Sequence, residues 1–280
     1  MLAVGVLAAS FSAILIRWAQ AEAPSLVIAA GRTGLATGLL LPIALLRRRP
    51  ELKTLSPVSW RWAILAGLML ALHFAGWISS LEYTSVTSST VLFATAPFWV
   101  ALAAPWLLSE PLTRPVLAGI GLALLGTTII ALDSNAGGDQ SLLGNGLALL
   151  GAITYAAYFI IGRRLRLSLS LLSYTTLVYG SAALFLLFFT WAAGYSLAGY
   201  SAGTYLLILL LALFPQLLGH SSYNYALGYL PAVYVSIASI AEPIGATILA
   251  FLLLQELPGW LTLAGSVFVL AGVLVAGRKP

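Results

Sequence analysis

The sequence predicts an all-α polytopic membrane protein of ten transmembrane helices, arranged as two inverted five-helix repeats. Three observations predict it. Of 280 residues, 61% are apolar and 8% charged, whereas a soluble domain carries about a quarter charged residues. Apolar stretches recur at bilayer length, about 20 residues per crossing. Finally, the segment from Leu81 to Ala131 returns without a gap 146 positions later, from Leu227 to Gly277. About a dozen of roughly fifty aligned positions are identical, among them Tyr83 with Tyr229, Pro97 with Pro243, Glu110 with Glu256 and Gly119 with Gly265.

Ten spans can be drawn, at 2–18, 25–46, 60–82, 84–108, 115–132, 142–162, 170–192, 203–227, 231–254 and 259–277. Turn and start signals at Pro24, Pro50, Pro57, Pro111, Pro115, Pro231 and Pro258 punctuate the short connections. Alternating patterning is absent, which disfavours a membrane barrel. No cleavable signal peptide is expected, because the first apolar stretch lacks a basic leader and belongs to the repeat.

Basic residues set the orientation. Arg47, Arg48, Arg49, Lys53, Arg61, Arg114, Arg163, Arg164, Arg166, Arg278 and Lys279 fall on one side if ten helices alternate. That side is expected to be cytoplasmic, with both termini on it, in the inner membrane of the cell. Asp133 and Asp139 fall on the other side, and Arg17 is the dissenter. An odd number of helices per repeat inverts the second copy. The halves are expected at 1–135 and 141–280, joined by a linker at 133–140. Inverted repeats place a substrate site near the midplane, between halves that rock to open alternately.

Charge and cysteine exclude other classes. The net charge of +5 lies in short loops, so no nucleic-acid partner is expected. There is no cysteine, hence no disulfide or thiolate site. Two histidines do not make a zinc site; no metal and no cofactor is expected. No intramembrane hydrolase motif is present, so the chain reads as no enzyme. A channel or a non-transporting scaffold is the alternative of another class. The expected partners are a small-molecule substrate and the lipid bilayer, around a monomer.

The runs Leu81-Glu-Tyr, Ala96-Pro97, Ser109-Glu110, Gly119 and Gly126 resemble the EamA-like branch of the drug/metabolite transporter superfamily. Ala241-Glu242-Pro243, Gln255-Glu256, Gly265 and Gly272 repeat the resemblance, and Arg32 fits its first-repeat pattern. The likeness spans nearly the whole chain. It implies ten helices, an inverted repeat, and export of amino acids, metabolites or drugs. The aromatic-rich chain looks like the YddG-type amino-acid exporters of that branch. Two departures stand out: Val178 replaces Arg32 in the second copy, and Gln255 stands where a glycine is usual.

Polar groups at membrane depth are costly and mark candidate sites. Arg32 could anchor a carboxylate, form a gating ion pair, bond helix-end carbonyls, or snorkel to the interface. Glu242 has Ala96 as its counterpart, so it breaks the repeat. It could bind a proton or a substrate ammonium, or bond carbonyls freed by Pro243. His73 and His220 join these two as candidates for gating or ion coupling. Pro97 and Pro243 are expected to kink their helices. Candidate substrate-binding residues are Trp77, Ser80, Thr90, Phe93, Tyr155, Tyr158, Tyr223, Asn224, Ser236 and Ser239. Aromatic walls with a few polar tips suit a small amphipathic ligand; helix packing is the competing role. Glu110 and Glu256 are expected to cap the following helix or pair with a loop cation. Gly34 and Gly38, Gly119 and Gly126, and Gly265 and Gly272 form small-residue faces for close packing.

Overall fold

A computed structural model describes residues 1–110, 112–132, 141–257 and 259–276. The expected linker at 133–140, Pro111, Pro258, Arg278 and Lys279 lie outside the described residues. Among the described residues there is no strand. The apolar helical segments are α1 (Leu2–Ala19), α2 (Ser25–Arg47), α3 (Pro57–Tyr83), α4 (Val86–Leu107), α5 (Arg114–Ala131), α6 (Ser141–Arg166), α7 (Leu171–Ala192), α8 (Ala202–Ala226), α9 (Ala232–Leu254) and α10 (Trp260–Ala276). Eight are long and apolar enough to cross a membrane, and α5 and α10 are shorter apolar helices. Large apolar side chains such as Leu46, Trp106 and Trp260 stand exposed. In water they would be a liability; against lipid they are the expected outer surface.

Helix starts follow local chemistry. The side chains of Ser56, Ser85, Ser170 and Ser201 each accept the N–H three residues on, a serine N-cap. The cap at Ser56, with Pro57 first in the helix, starts α3 three residues before the expected position. Arg163, Arg164 and Arg166 lie in the last turn of α6 rather than in a loop, where cations suit the negative helix end.

Carboxylates complete the starts. Glu82 accepts the Ser25 N–H at 3.1 Å, Glu51 that of Ser170 at 2.7 Å and Glu22 that of Ser201 at 3.0 Å. Glu110 accepts that of Ala232 at 3.0 Å and Glu256 that of Val86 at 3.2 Å. Five of the six glutamates thus sit on the positive ends of helices α2, α7, α8, α9 and α4. Glu110 and Glu256 cap a helix of the other half, not the following helix.

Four of the spans are not continuous. α4 breaks at Ala94–Thr95 and α9 at Ile240–Ala241, each just before its proline, so that Pro97 and Pro243 open new helical segments. α1 breaks at Phe11 without a proline. α8 runs through a π-helix at Ala212–His220, around Pro215.

α3 packs along α6, α1 against α8, α2 against α7, α5 against α10, and α4 across α9. Adding or subtracting 146 turns the first pair into the second and returns the other three to themselves. A close approach between α3 and α6 behaves the same way. A Cβ on Gly151 would stand 2.9 Å from Trp77 Cβ, and one on Gly76 would stand 3.0 Å from the Leu147 carbonyl. Their counterparts are Gly5 and Ser222, where a Cβ on Gly5 would meet Ser222 Cβ at 2.9 Å. Gly119 and Gly272 form the close seam of α5 and α10. Gly34 and Gly38 meet nothing within 4 Å, so that expected packing face is not used.

Candidate substrate site

The breaks in α1, α4, α8 and α9 surround one cavity. It is lined by Ala9, Ser12, His73, Trp77, Phe93, Tyr155, Pro215, His220 and Glu242. Its free volume is about 10 Å³, room for a single water. A second, apolar groove of about 440 Å³ lies between α1 and α8 on the outer surface, lined by Val4, Leu7, Phe11 and Phe214 among others. Its lining offers no polar partner to orient a substrate, and an apolar outer groove of this kind suits lipid.

The cavity wall is aromatic. His73 stacks on Trp77 at 6.0 Å between ring centres and lies 4.8 Å from Tyr155. Phe93 meets Tyr155 edge-on at 4.9 Å. His73 Nδ1–H donates to the Gly151 carbonyl at 3.0 Å, which fixes the tautomer and leaves Nε2 as an acceptor. The two histidine rings are 6.1 Å apart. Among the described residues no group of His, Cys, Asp and Glu could hold a metal ion.

Two ionisable groups flank this wall. Arg32 is completely buried, so it does not snorkel to the interface. Its Nη1 donates to Ser12 Oγ at 3.2 Å, while Nε and Nη2 have no partner. Buried donors without partners are costly, and a bidentate acceptor would satisfy both. Glu242 contributes to the lining itself, with the Tyr223 hydroxyl beside it but without hydrogen-bond geometry. Arg32 and Glu242 are electrostatic neighbours, yet the only ion pairs among the described residues are Arg17–Glu256 and Arg163–Glu110. Glu242 is also the one glutamate that binds no helix start.

The remaining expected residues fall behind the wall or elsewhere. Tyr158 donates to Asn224 at 2.6 Å, and Asn224 donates to Tyr179 at 3.1 Å, a buried network behind Tyr155. Ser239 lies beside Tyr155, but its hydroxyl bonds the Ser236 carbonyl. The hydroxyls of Thr90 and Ser236 bond carbonyls of their own helices. Ser80 bonds the Trp77 carbonyl and Ser89. None of Ser80, Thr90, Ser236 and Ser239 lines the cavity. Ser12 and Pro215 were not anticipated. The repeat held one signal for Ser12, because its counterpart at +146 is Tyr158.

A helical membrane fold with a central polar cavity between broken helices defines a membrane transporter. The chain matches the EamA-like transporter family twice, over residues 1–132 and 142–278, and belongs to that family. It is 24% identical over 230 residues to an uncharacterized transporter of Archaeoglobus fulgidus, covering 80% of this chain and 78% of that one. It is 29% identical over 197 residues to a probable amino-acid metabolite efflux pump of Salmonella typhimurium, covering 67% and 66%. A probable terminal-alkyne amino-acid exporter of Streptantibioticus cattleyicolor is 26% identical over 193 residues, covering 69% and 64%. A solved crystal structure superposes with a TM-score of 0.74 at 17% identity, covering 98% of this chain and 94% of that one. That likeness concerns the fold.

Proposed function

We propose that this transporter moves small zwitterionic metabolites, amino acids with aromatic ones included, out of the cell by alternating access. Drugs or other metabolites are the second reading within the same family. The carrying observation is the pair Arg32 and Glu242 at an aromatic cavity: Arg32 keeps two unpartnered nitrogens beside the lining residue Ser12, and Glu242 lines the cavity without an ion pair. A carboxylate suits the free fork of Arg32, and an ammonium suits Glu242. A relative's description as an amino-acid metabolite efflux pump supports the same substrate class. An anionic sugar-nucleotide would need more basic groups at this depth than Arg32 alone.

Ten crossings in two inverted repeats, at 1–135 and 141–280, complete the reading. The packing pairs that exchange under the 146-residue offset support it. The basic connections support termini in the cytoplasm. The broken α4 and α9 match each other at the same repeat position, as expected for helices that form a midplane site.

Counterflow in proteoliposomes tests the substrate: saturable exchange of amino acids is expected. Strong counterflow of nucleotide sugars with none of amino acids refutes it. Flux without saturation or trans-stimulation points to a channel instead. Topology is read by cysteine labelling in this cysteine-free chain. Lys53→Cys is expected to label from the cytoplasm and Ser196→Cys from outside; the reverse pattern overturns the orientation.

A further inference from the structure

We infer that two arginine–glutamate clasps, one on each face of the protein, are the latches that close the cavity in turn, and that the Glu256 clasp releases first. This rests on the alternating-access reading above. On the face that carries the N-terminus, Arg163 Nε donates to Glu110 Oε1 at 3.0 Å and Arg163 Nη1 to the Leu227 carbonyl at 2.8 Å. The Ala232 N–H donates to Glu110 Oε2 at 3.0 Å. On the opposite face, Arg17 Nη2 stands 3.6 Å from Glu256 Oε1. Arg17 Nη1 donates to the Leu81 carbonyl, and the Val86 N–H donates to Glu256 Oε2 at 3.2 Å. Every member of one clasp is offset by 146 from a member of the other.

The composition of each clasp matters. One half supplies the glutamate and the other half supplies all three partners. Neither clasp survives separation of the halves on its own face. Glu110 and Glu256 follow the broken helices α4 and α9, and each glutamate grips the start of the other broken helix. Both clasps are formed here, and the cavity between them holds one water at most. A substrate can enter only if one of them opens.

The backbone carries a second mark. Ser109 and Gln255, the residues before the two glutamates, have φ of 56° and 58°, the only positive values on non-glycine residues among those described. Left-handed strain of this kind gathers at switch segments.

The clasps are unequal. The Glu110 pair is a short, charge-assisted hydrogen bond with side chains 16% and 15% exposed. The Glu256 pair is longer, with side chains 33% and 23% exposed. Solvent screens it more, so it is the weaker latch.

The test uses single cysteines at Ser89, near the start of α4, and at its counterpart Val235 in α9, both buried. Right-side-out and inverted vesicles are treated with a membrane-impermeant maleimide, with no substrate present. Ser89→Cys is expected to label faster than Val235→Cys. Glu256→Gln should raise Ser89→Cys labelling about tenfold from outside, the factor given by about 1.4 kcal/mol. Glu110→Gln should raise Val235→Cys labelling from the cytoplasmic side. Exchanged pairs, Arg17→Glu with Glu256→Arg and Arg163→Glu with Glu110→Arg, restore the ion pair alone and should slow labelling part of the way back, because arginine cannot accept the Val86 or Ala232 N–H. If a glutamine variant does not fold, Glu256→Asp and Glu110→Asp carry the same test. Equal effects on both reporters, or none, overturn the latches, and faster labelling of Val235→Cys overturns their order. Because labelling needs no substrate, face-selective labelling without amino-acid flux would sink only the substrate assignment.

Discussion

The Arg32 guanidinium stands 4.4 Å over the centre of the Phe74 ring, with two of its three nitrogens unpartnered. A structural arginine would have spent its donors on the protein. A buried, incompletely paired charge costs stability, and an apolar replacement of similar volume is often neutral or stabilising. Arg32→Met is therefore expected to keep or raise the melting temperature while reducing amino-acid counterflow tenfold or more, an order-of-magnitude figure for one charge-assisted contact. A lower melting temperature with unchanged flux would make Arg32 a packing residue.

Glycines that look alike in the sequence separate in the structure. Gly151→Ala drives a methyl into the Trp77 backbone, with the nitrogen at 3.2 Å and Cα at 3.3 Å. Overpacking of this kind costs about 1–3 kcal/mol. Gly34→Ala meets open space and should stabilise α2 by up to about 1 kcal/mol through helix propensity. Thermal unfolding in detergent compares the two; equal shifts would mean that α3 and α6 do not approach so closely.

That contrast shows where sequence reading stops. Hydropathy and the 146-residue repeat located the spans, because lipid demands long apolar helices. His73, Trp77, Phe93, Tyr155, His220 and Glu242 were legible because a bulky or ionisable group inside an apolar span is conspicuous. Ser12 was not, since a serine in α1 looks like helix packing. The π-helix around Pro215 leaves no mark on hydropathy. Pairing of Glu110 and Glu256 with a cation was expected and is seen with Arg163 and Arg17; the helices they cap were missed, because local logic assigns a loop acid to the next helix. Arg163 lies 53 residues from Glu110, and only tertiary packing brings them together.

The residue before each clasp glutamate is strained for want of a glycine. The Gln255 backbone at φ 58° follows α9, and the Glu256 N–H reaches back to the Ala250 carbonyl at 3.2 Å. Ser109 and Glu110 repeat this geometry. Gln255→Gly should relieve about 1 kcal/mol of left-handed strain and raise the melting temperature. The same change placed at Leu254, within the helix, should lower it. A drop at Gln255 would mean that the turn is not left-handed.

Glu51 ties the short helix Arg49–Lys53 to the start of α7. Burial raises its carboxyl, but hydrogen bonds from Ser170 and Ser173 outweigh that and hold it below the usual carboxylate range. A depressed acid contributes stability above its unfolded pKa of about 4.5 and loses it as pH falls through the lower folded value. Glu51→Gln is expected to be less stable than the parent near neutrality, by under about 1 kcal/mol for a partly exposed group. The difference should shrink as pH drops below about 4.5. A gap that stays constant down to that range would show that Glu51 carries no such charge-dependent contact.

Glu242 is the remaining acid to decide. Every other glutamate holds the start of a helix; this one lines the cavity, where the repeat supplies only Ala96 as its counterpart. Its main-chain carbonyl accepts from Ser10 Oγ at 3.4 Å, so backbone contacts of the broken α9 do not depend on the carboxyl group. Glu242→Gln preserves shape and hydrogen-bonding capacity and removes the charge. If the carboxylate receives a substrate ammonium, counterflow of amino acids should fall at least tenfold, as for a charge-assisted contact. Counterflow of the same compounds lacking the amino group should fall far less, and melting should be unchanged. Equal losses for both substrate sets would place the charge in the coupling of transport rather than in recognition. Wild-type flux for both would return Glu242 to a purely structural role beside Pro243.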